Sequence, residues 1–217
     1  MTSSGWQRHR LFFREFRQHF HATGAIAPSS AGLARAITAP LARVAGQRPL
    51  AVLEVGAGTG VFTRAILRQL GPSDRFDVYE INPAFQAFLE SELGQARAQA
   101  RLHMGDIMQL APDVRYDFII SGLPLNNFPA ATVRAILTLL MEHLERGGTL
   151  SYFEYPFLRT LKYPFVRNAA ERQRLKAVGA VVEHFLRQHS SRAQTVALNL
   201  PPAVARHISC NAAWETL

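Results

Sequence analysis

The run Leu50-Ala-Val-Leu-Glu-Val-Gly56-Ala-Gly58-Thr-Gly60 constrains this chain more than any other segment. A short apolar stretch leads straight into three glycines at alternate positions, and Val61-Phe-Thr-Arg-Ala-Ile-Leu-Arg-Gln-Leu70 follows with helical spacing. The order is strand, tight loop, helix. Glycines placed this way let a loop turn sharply and bring its backbone against a ligand that a β-carbon would exclude. Amides at the N-terminus of the following helix favour carboxylate or phosphate groups. Nicotinamide and flavin loops carry Gly-x-Gly-x-x-Gly, and here the sixth position is Val61.

Two acids follow at the ends of further apolar runs. Phe76-Asp-Val-Tyr-Glu80-Ile81 is a second strand whose carboxylate falls about 20 residues past the glycine loop, where it can accept both hydrogen bonds of a ribose diol. Pro83 suits the first turn of the next helix. Ala100-Arg-Leu-His-Met-Gly105-Asp106-Ile107 sets a second acid just after a third strand. Singly, the loop is equally a packed turn and each acid a solvated strand end. In this order at successive strand ends, the Glu-x-Gly-x-Gly-x-Gly pattern and the two acids resemble class I methyltransferases, which bind S-adenosylmethionine. The resemblance implies that Gly56, Ala57, Gly58 and Gly60 contact the methionine part of the cofactor. It implies that Glu80 with Ile81 takes the ribose, and Asp106 with Ile107 the adenine. Glu54 is expected to brace the loop through its amides. Ser30 is read as a helix N-cap, with the cofactor carboxylate as its alternative partner.

With 217 residues, 48% of them apolar, the chain can bury one sizeable core. Cys210 is the only cysteine, so neither an intramolecular disulfide nor a cysteine metal site is expected, and the eight histidines show no ligand spacing. No apolar run approaches the roughly 20 residues of a spanning helix, and the N-terminus lacks a signal-peptide core. The expected location is cytoplasmic, peripheral on the inner face of the membrane. Charge is uneven: residues 1–50 carry +6, residues 51–154 carry −4 and residues 155–217 carry +6, which gives the net +8. An acidic middle between basic flanks implies a polyanionic partner, either nucleic acid or an anionic membrane.

Residues 1–24 form a separate arm in this reading, and 25–217 the catalytic domain. At about 100° per residue, Trp6, Phe12, Phe13, Phe16 and Phe20 fall on one arc, with Arg8, Arg10, Arg14 and Arg17 on the remaining surface. An aromatic face opposite an arginine face suits a helix lying in a bilayer interface, each arginine contributing about 1 kcal/mol at anionic lipid. A helix packing its phenylalanines on the domain has the same pattern.

After a fourth strand, Tyr116-Asp-Phe-Ile-Ile-Ser121, comes Gly122-Leu123-Pro124-Leu-Asn-Asn-Phe128. Leu123 precedes proline and is biased to an extended conformation, which leaves its carbonyl expected unpaired and facing an acceptor amine. This loop resembles that of bacterial phospholipid N-methyltransferases, which methylate phosphatidylethanolamine towards phosphatidylcholine. Gly24-Ala-Ile-Ala-Pro-Ser-Ser30 and Asn199-Leu-Pro-Pro-Ala203 are also similar to segments of that family. The related ribosomal RNA adenine dimethyltransferases carry Asn-Leu-Pro-Tyr here. Gly122 replaces the asparagine and Leu125 the tyrosine, so both base-gripping groups are absent.

The family resemblance implies a Rossmann-like α/β fold: a seven-stranded, mostly parallel sheet with helices on both faces and one antiparallel strand. Strands are expected near 50–56, 76–81, 100–104 and 116–121, a fifth after Gly147-Gly148, and two more within 181–199; 129–145 reads as a helix. The implied reaction is in-line methyl transfer from S-adenosylmethionine to a neutral amine, yielding S-adenosylhomocysteine. Ser121, Gly122, Leu123 and Pro124 would flank the amine. Tyr155 would position it or relay its proton, while Arg159, Lys162 and Arg167 are candidates for the lipid phosphate. The expected partners are an anionic membrane and phosphatidylethanolamine, with no stable nucleic-acid partner and no metal. Two rival functions are nucleic-acid adenine methylation, which the charge favours, and membrane binding by a chain whose cofactor site is inactive.

Overall fold

The computed structural model describes residues 30–96, 98–155, 169–199 and 202–210. Every expectation placed on the arm (Trp6, Arg10, Phe12, Phe13, Arg14, Phe16, Arg17 and Phe20) and on Arg159, Lys162 and Arg167 lies outside these residues.

Alternation along the first strand sets the architecture. In β1 (Ala51–Val55), Val52 joins one buried cluster while Leu53 and Val55 join another. A sheet buried on both faces follows from this period of two. One face is covered by α1 (Ala31–Ile37), which precedes the short α2 (Ala39–Ala42), by α3 (Val61–Leu67), which precedes β2 (Arg75–Glu80), and by α4 (Gln86–Leu93). The other is covered by α5 (Ala130–Glu142) and α6 (Ala169–Gln188). In α5 the buried residues Val133, Ile136, Leu137 and Leu140 keep the expected helical spacing.

The remaining strands are β3 (Gln99–Met104), β4 (Tyr116–Ser121), β5 (Leu144–Glu154), β6 (Ser190–Val196) and β7 (Ala203–Ser209), in the order β3-β2-β1-β4-β5-β7-β6. The first five are mutually parallel, and β7 runs antiparallel to both β5 and β6. The order reverses between β1 and β4, so their carboxyl ends form the crevice where open α/β sheets bind ligands.

Two boundaries differ from the sequence reading. The fifth strand begins at Leu144, ahead of the glycines, and its pairing with β4 shifts register before resuming at Thr149. Gly147 at φ 79° makes that irregularity. Only one of the last two strands lies within 181–199; the other is β7, beyond it. Val181, Val182 and Phe185 belong to α6, where they continue the buried stripe of Leu175 and Val178. A spacing of three and four places them on one helical face, which overrides their strand propensity.

Candidate functional site

The glycine loop leaves β1 in a backbone conformation that L side chains resist: φ is 75° at Gly56, 53° at Gly58 and 68° at Gly60. A β-carbon at Gly58 would meet nothing within 4 Å, so the loop presents bare backbone to open space there. At Gly56 it would lie 2.8 Å from Cδ2 of Leu123, the buried side chain of the acceptor loop. Ala57 is buried against the α1 and α3 face.

Glu80, not Glu54, braces this loop. Its Oε2 accepts from the Gly58 amide at 2.8 Å and its Oε1 from the Asn82 amide at 2.7 Å. Burial raises the Glu80 pKa, and the amides of Asn82, Gly58 and Ile81 pull it back. Each carboxylate oxygen has a second lone pair, so the group retains acceptor capacity for a diol. Glu54 instead reaches the next helix: Thr63 Oγ1 donates to its Oε2 at 2.7 Å, and its Oε1 has no hydrogen-bond partner among the described residues. It is fully buried, which pushes its carboxyl up to about 8 despite the Thr63 hydroxyl, and the Glu80 charge adds to the rise. The physical reason is the pleat. Position 54 points towards α3, and the amides of the loop lie beyond it towards β2.

Asp106 caps the 3-10 turn Ile107–Gln109, accepting from the Met108 amide at 2.9 Å. Ile107 is buried in the core beside it. Ser30 caps α1 by accepting from the Leu33 amide, and its own amide donates to Asn199 Oδ1 at 3.1 Å.

The acceptor loop departs from expectation at its carbonyl. Pro124 has φ −78° and ψ 79°, an inverse γ-turn, and the Leu123 carbonyl accepts from the Leu125 amide at 2.9 Å. It is therefore paired, because the turn folds the chain back before the carbonyl can face a cleft. Gly122 has a role that sequence reasoning missed. A β-carbon there would lie 2.5 Å from the Gly56 carbonyl oxygen, while the Gly122 amide donates to Val55 at 2.8 Å. The two loops are packed backbone to backbone. Ser121 is buried, and its hydroxyl takes a long 3.4 Å bond from the Leu123 amide. Tyr155 is buried at the end of β5, its ring edge-on to Phe153 at 5.3 Å. Near it Glu154 accepts from Arg206 at 2.7 Å and from the Tyr152 hydroxyl at 3.0 Å, an ion pair no sequence spacing announces.

The same arrangement of sheet and helices occurs in solved methyltransferases. The O-methyltransferase TomG from Streptomyces achromogenes, in complex with S-adenosylmethionine, aligns with a TM-score of 0.64 at 14% identity, covering 89% of this chain and 86% of that one. An O-methyltransferase from Bacillus cereus, in complex with S-adenosylhomocysteine, aligns at 0.61 and 14% identity, covering 89% and 88%. These define the class of fold. Residues 52–148 also match the family model described as a methyltransferase domain. An ornithine lipid N-methyltransferase from Singulisphaera acidiphila is 30% identical over 147 residues, 65% of this chain and 74% of that protein. The chain belongs to the class I S-adenosylmethionine-dependent methyltransferases, and S-adenosylmethionine is its cofactor.

The residues present fit that group. Gly58 offers a cradle that any β-carbon would fill, and Glu54 holds a buried acceptor oxygen without a donor beneath the same loop. Among the described residues no three His, Cys, Asp or Glu side chains cluster to hold a metal, and no helix is long and apolar enough to cross a membrane.

Proposed function

We propose that this methyltransferase N-methylates the amine of a lipid headgroup at a membrane surface, with phosphatidylethanolamine and its mono- and dimethyl forms as substrates on the way to phosphatidylcholine. The observation that carries this reading is the build of the acceptor loop. Gly122 is pressed on the Gly56 backbone and supplies no side chain, and Leu123 and Leu125 are buried. The loop thus offers neither a polar side chain to grip a nucleobase at 122 nor an aromatic platform at 125 to stack on it. A slim alkylamine needs neither. The relative from Singulisphaera acidiphila, an ornithine lipid N-methyltransferase, supports the same class of acceptor.

The bound cofactor supplies an activated methyl on sulfonium. The protein's part is to hold the amine in line and neutral, since an ammonium has no lone pair. Ser121 is the side-chain acceptor that this loop offers to the amine N–H, now that the Leu123 carbonyl is paired. Tyr155 is the phenol assigned in this reading to position the amine or relay its proton, with Arg159 and Lys162 on the lipid phosphate.

Methyl-labelled S-adenosylmethionine with vesicles containing phosphatidylethanolamine should label the mono-, di- and trimethylated lipid. Label confined to RNA added alongside would overturn the assignment, and label only in ornithine lipid would reject phosphatidylethanolamine while keeping the class. The arm is assigned to bilayer attachment. Deleting residues 1–21 should reduce co-sedimentation with anionic vesicles most strongly at low salt, where exposed charges are least screened; equal sedimentation by both forms would remove that role.

A further inference from the structure

Among the described residues two large apolar side chains stand exposed, Phe88 at 41% and Leu198 at 95%. Scattered singly, exposed apolar residues need no explanation. Their placement here is not scattered. Phe88 lies in the first turn of α4, directly after the carboxyl end of β2, and a β-carbon at Gly60 would sit 2.8 Å from its ring. Leu198 lies in the turn between β6 and β7. Because β7 is antiparallel to both its neighbours, β6 runs parallel to β1–β5, and its Val196 end is also a carboxyl end. Both side chains therefore occupy the edge of the sheet that carries the glycine and acceptor loops. Five strand spacings separate β2 from β6, about 24 Å, and β1 and β4 lie between them.

Two further observations say what covers this edge. The Arg64 guanidinium lies over the Phe88 ring at 5.4 Å, an aromatic and cation pair on the rim of the site. The turn that bears Leu198 is tied to Ser30, where the chain arrives from the basic, aromatic segment 1–29, through the Asn199 side chain at 3.1 Å. An apolar tip under Arg64 (whose guanidinium also lies 3.6 Å from Glu92), and a second at the corner that a segment with four arginines joins, match an anionic bilayer, with the apolar parts in the acyl boundary and the cations at the phosphates. We infer that the carboxyl edge of the sheet is the membrane-docking face, with Phe88 and Leu198 as two insertion points on either side of the acceptor loop. This rests on the lipid reading above and adds the orientation in which the enzyme meets its substrate: the sheet stands on the bilayer with the acceptor loop between two anchors.

The test places an environment-sensitive fluorophore on single cysteines, Phe88→Cys, Leu198→Cys and Glu145→Cys, in a full-length Cys210→Ala background. Glu145 is exposed at the opposite, amino end of β5. Vesicles of phosphatidylethanolamine and phosphatidylglycerol should raise and blue-shift emission several-fold at 88 and 198, and leave 145 unchanged. Leu198→Asp should raise the apparent KM for vesicle lipid while leaving kcat for a short-chain aminolipid in detergent unchanged. If the protein sediments with vesicles and methylates their lipid but 88 and 198 behave like 145, the docking face is wrong and the lipid reading stands. Emission at 88 and 198 that changes with protein concentration without vesicles would show that this edge pairs two copies, which also overturns the inference. Failure to methylate or bind vesicles at all removes the lipid reading itself.

Discussion

Gly122→Ala should cost the fold a large share of its stability, whereas Gly58→Ala should leave it nearly as stable and unable to hold its cofactor. At Gly122 the added methyl meets backbone, the Gly56 carbonyl oxygen at 2.5 Å with Val55 O at 3.5 Å, and neither can swing aside as a side-chain tip would. Overpacking of this kind costs on the order of 3 kcal/mol or more, a large share of the roughly 5–15 kcal/mol that holds a domain together. At Gly58 the methyl meets nothing, and the cost is the strain of a left-handed alanine, about 1–2 kcal/mol. The methyl does, however, fill the space over the bare backbone. Urea unfolding together with calorimetric titration of S-adenosylmethionine separates the two. Equal stability losses, or a Gly58→Ala protein that binds cofactor normally, would mean that the loop is not the cradle described.

The second large effect belongs to Glu54. Burial raises its carboxyl to about 8, against roughly 4.3 for an unfolded chain, so at neutral pH the folded protein holds a proton that the unfolded one has released. The stability this contributes is fully present below pH 4 and is lost as pH rises through 8. Between pH 6 and 9 the cofactor-free protein should lose on the order of 3 kcal/mol from this group, at about 1.4 kcal/mol for each pKa unit crossed. Glu80 shifts in the same direction and adds to the trend. Glu54→Gln mimics the protonated form and keeps the Thr63 bond available, so its melting temperature without cofactor should stay flatter over that range. A cationic ligand near the loop favours ionised Glu54 and reverses the sign: wild-type affinity for S-adenosylmethionine should rise with pH through 8, and that of Glu54→Gln should not. Parallel stability profiles for the two proteins would show that Glu54 is ionised in the free fold.

What the sequence disclosed follows from which forces are local. The placement of the glycine loop, Glu80 and Asp106 at successive strand ends is legible in the sequence because strand alternation and glycine spacing act over a few residues. Ser30 was legible as a cap for the same reason. The rest depends on partners far away in the chain. Nothing near Gly122 says that Gly56 will lie against it, so its lack of a side chain reads as a matter of substrate choice when it is first a matter of packing. The Leu123 carbonyl was misread because Pro124 sets up a turn one residue wide, tighter than the bias before proline suggests. Glu54 was placed on the wrong partner, since a strand's pleat decides direction and Thr63 is nine residues on. The last two strands do not both fit 181–199 because Val181, Val182 and Phe185 face the core from α6, and the second strand begins only at Ala203.

The position of β7 between β5 and β6 also fixes when the molecule can be completed during synthesis. On the ribosome, β6 emerges before the strand that joins it to the sheet exists, and Ser30 waits for Asn199, 169 residues later, before its corner is fastened. The nascent chain therefore carries an unpaired edge and a loose α1 until the residues of β7 clear the exit tunnel. Ribosome-stalled chains ending before residue 203 should be open to protease at α1, and chains long enough to expose β7 should close that vulnerability.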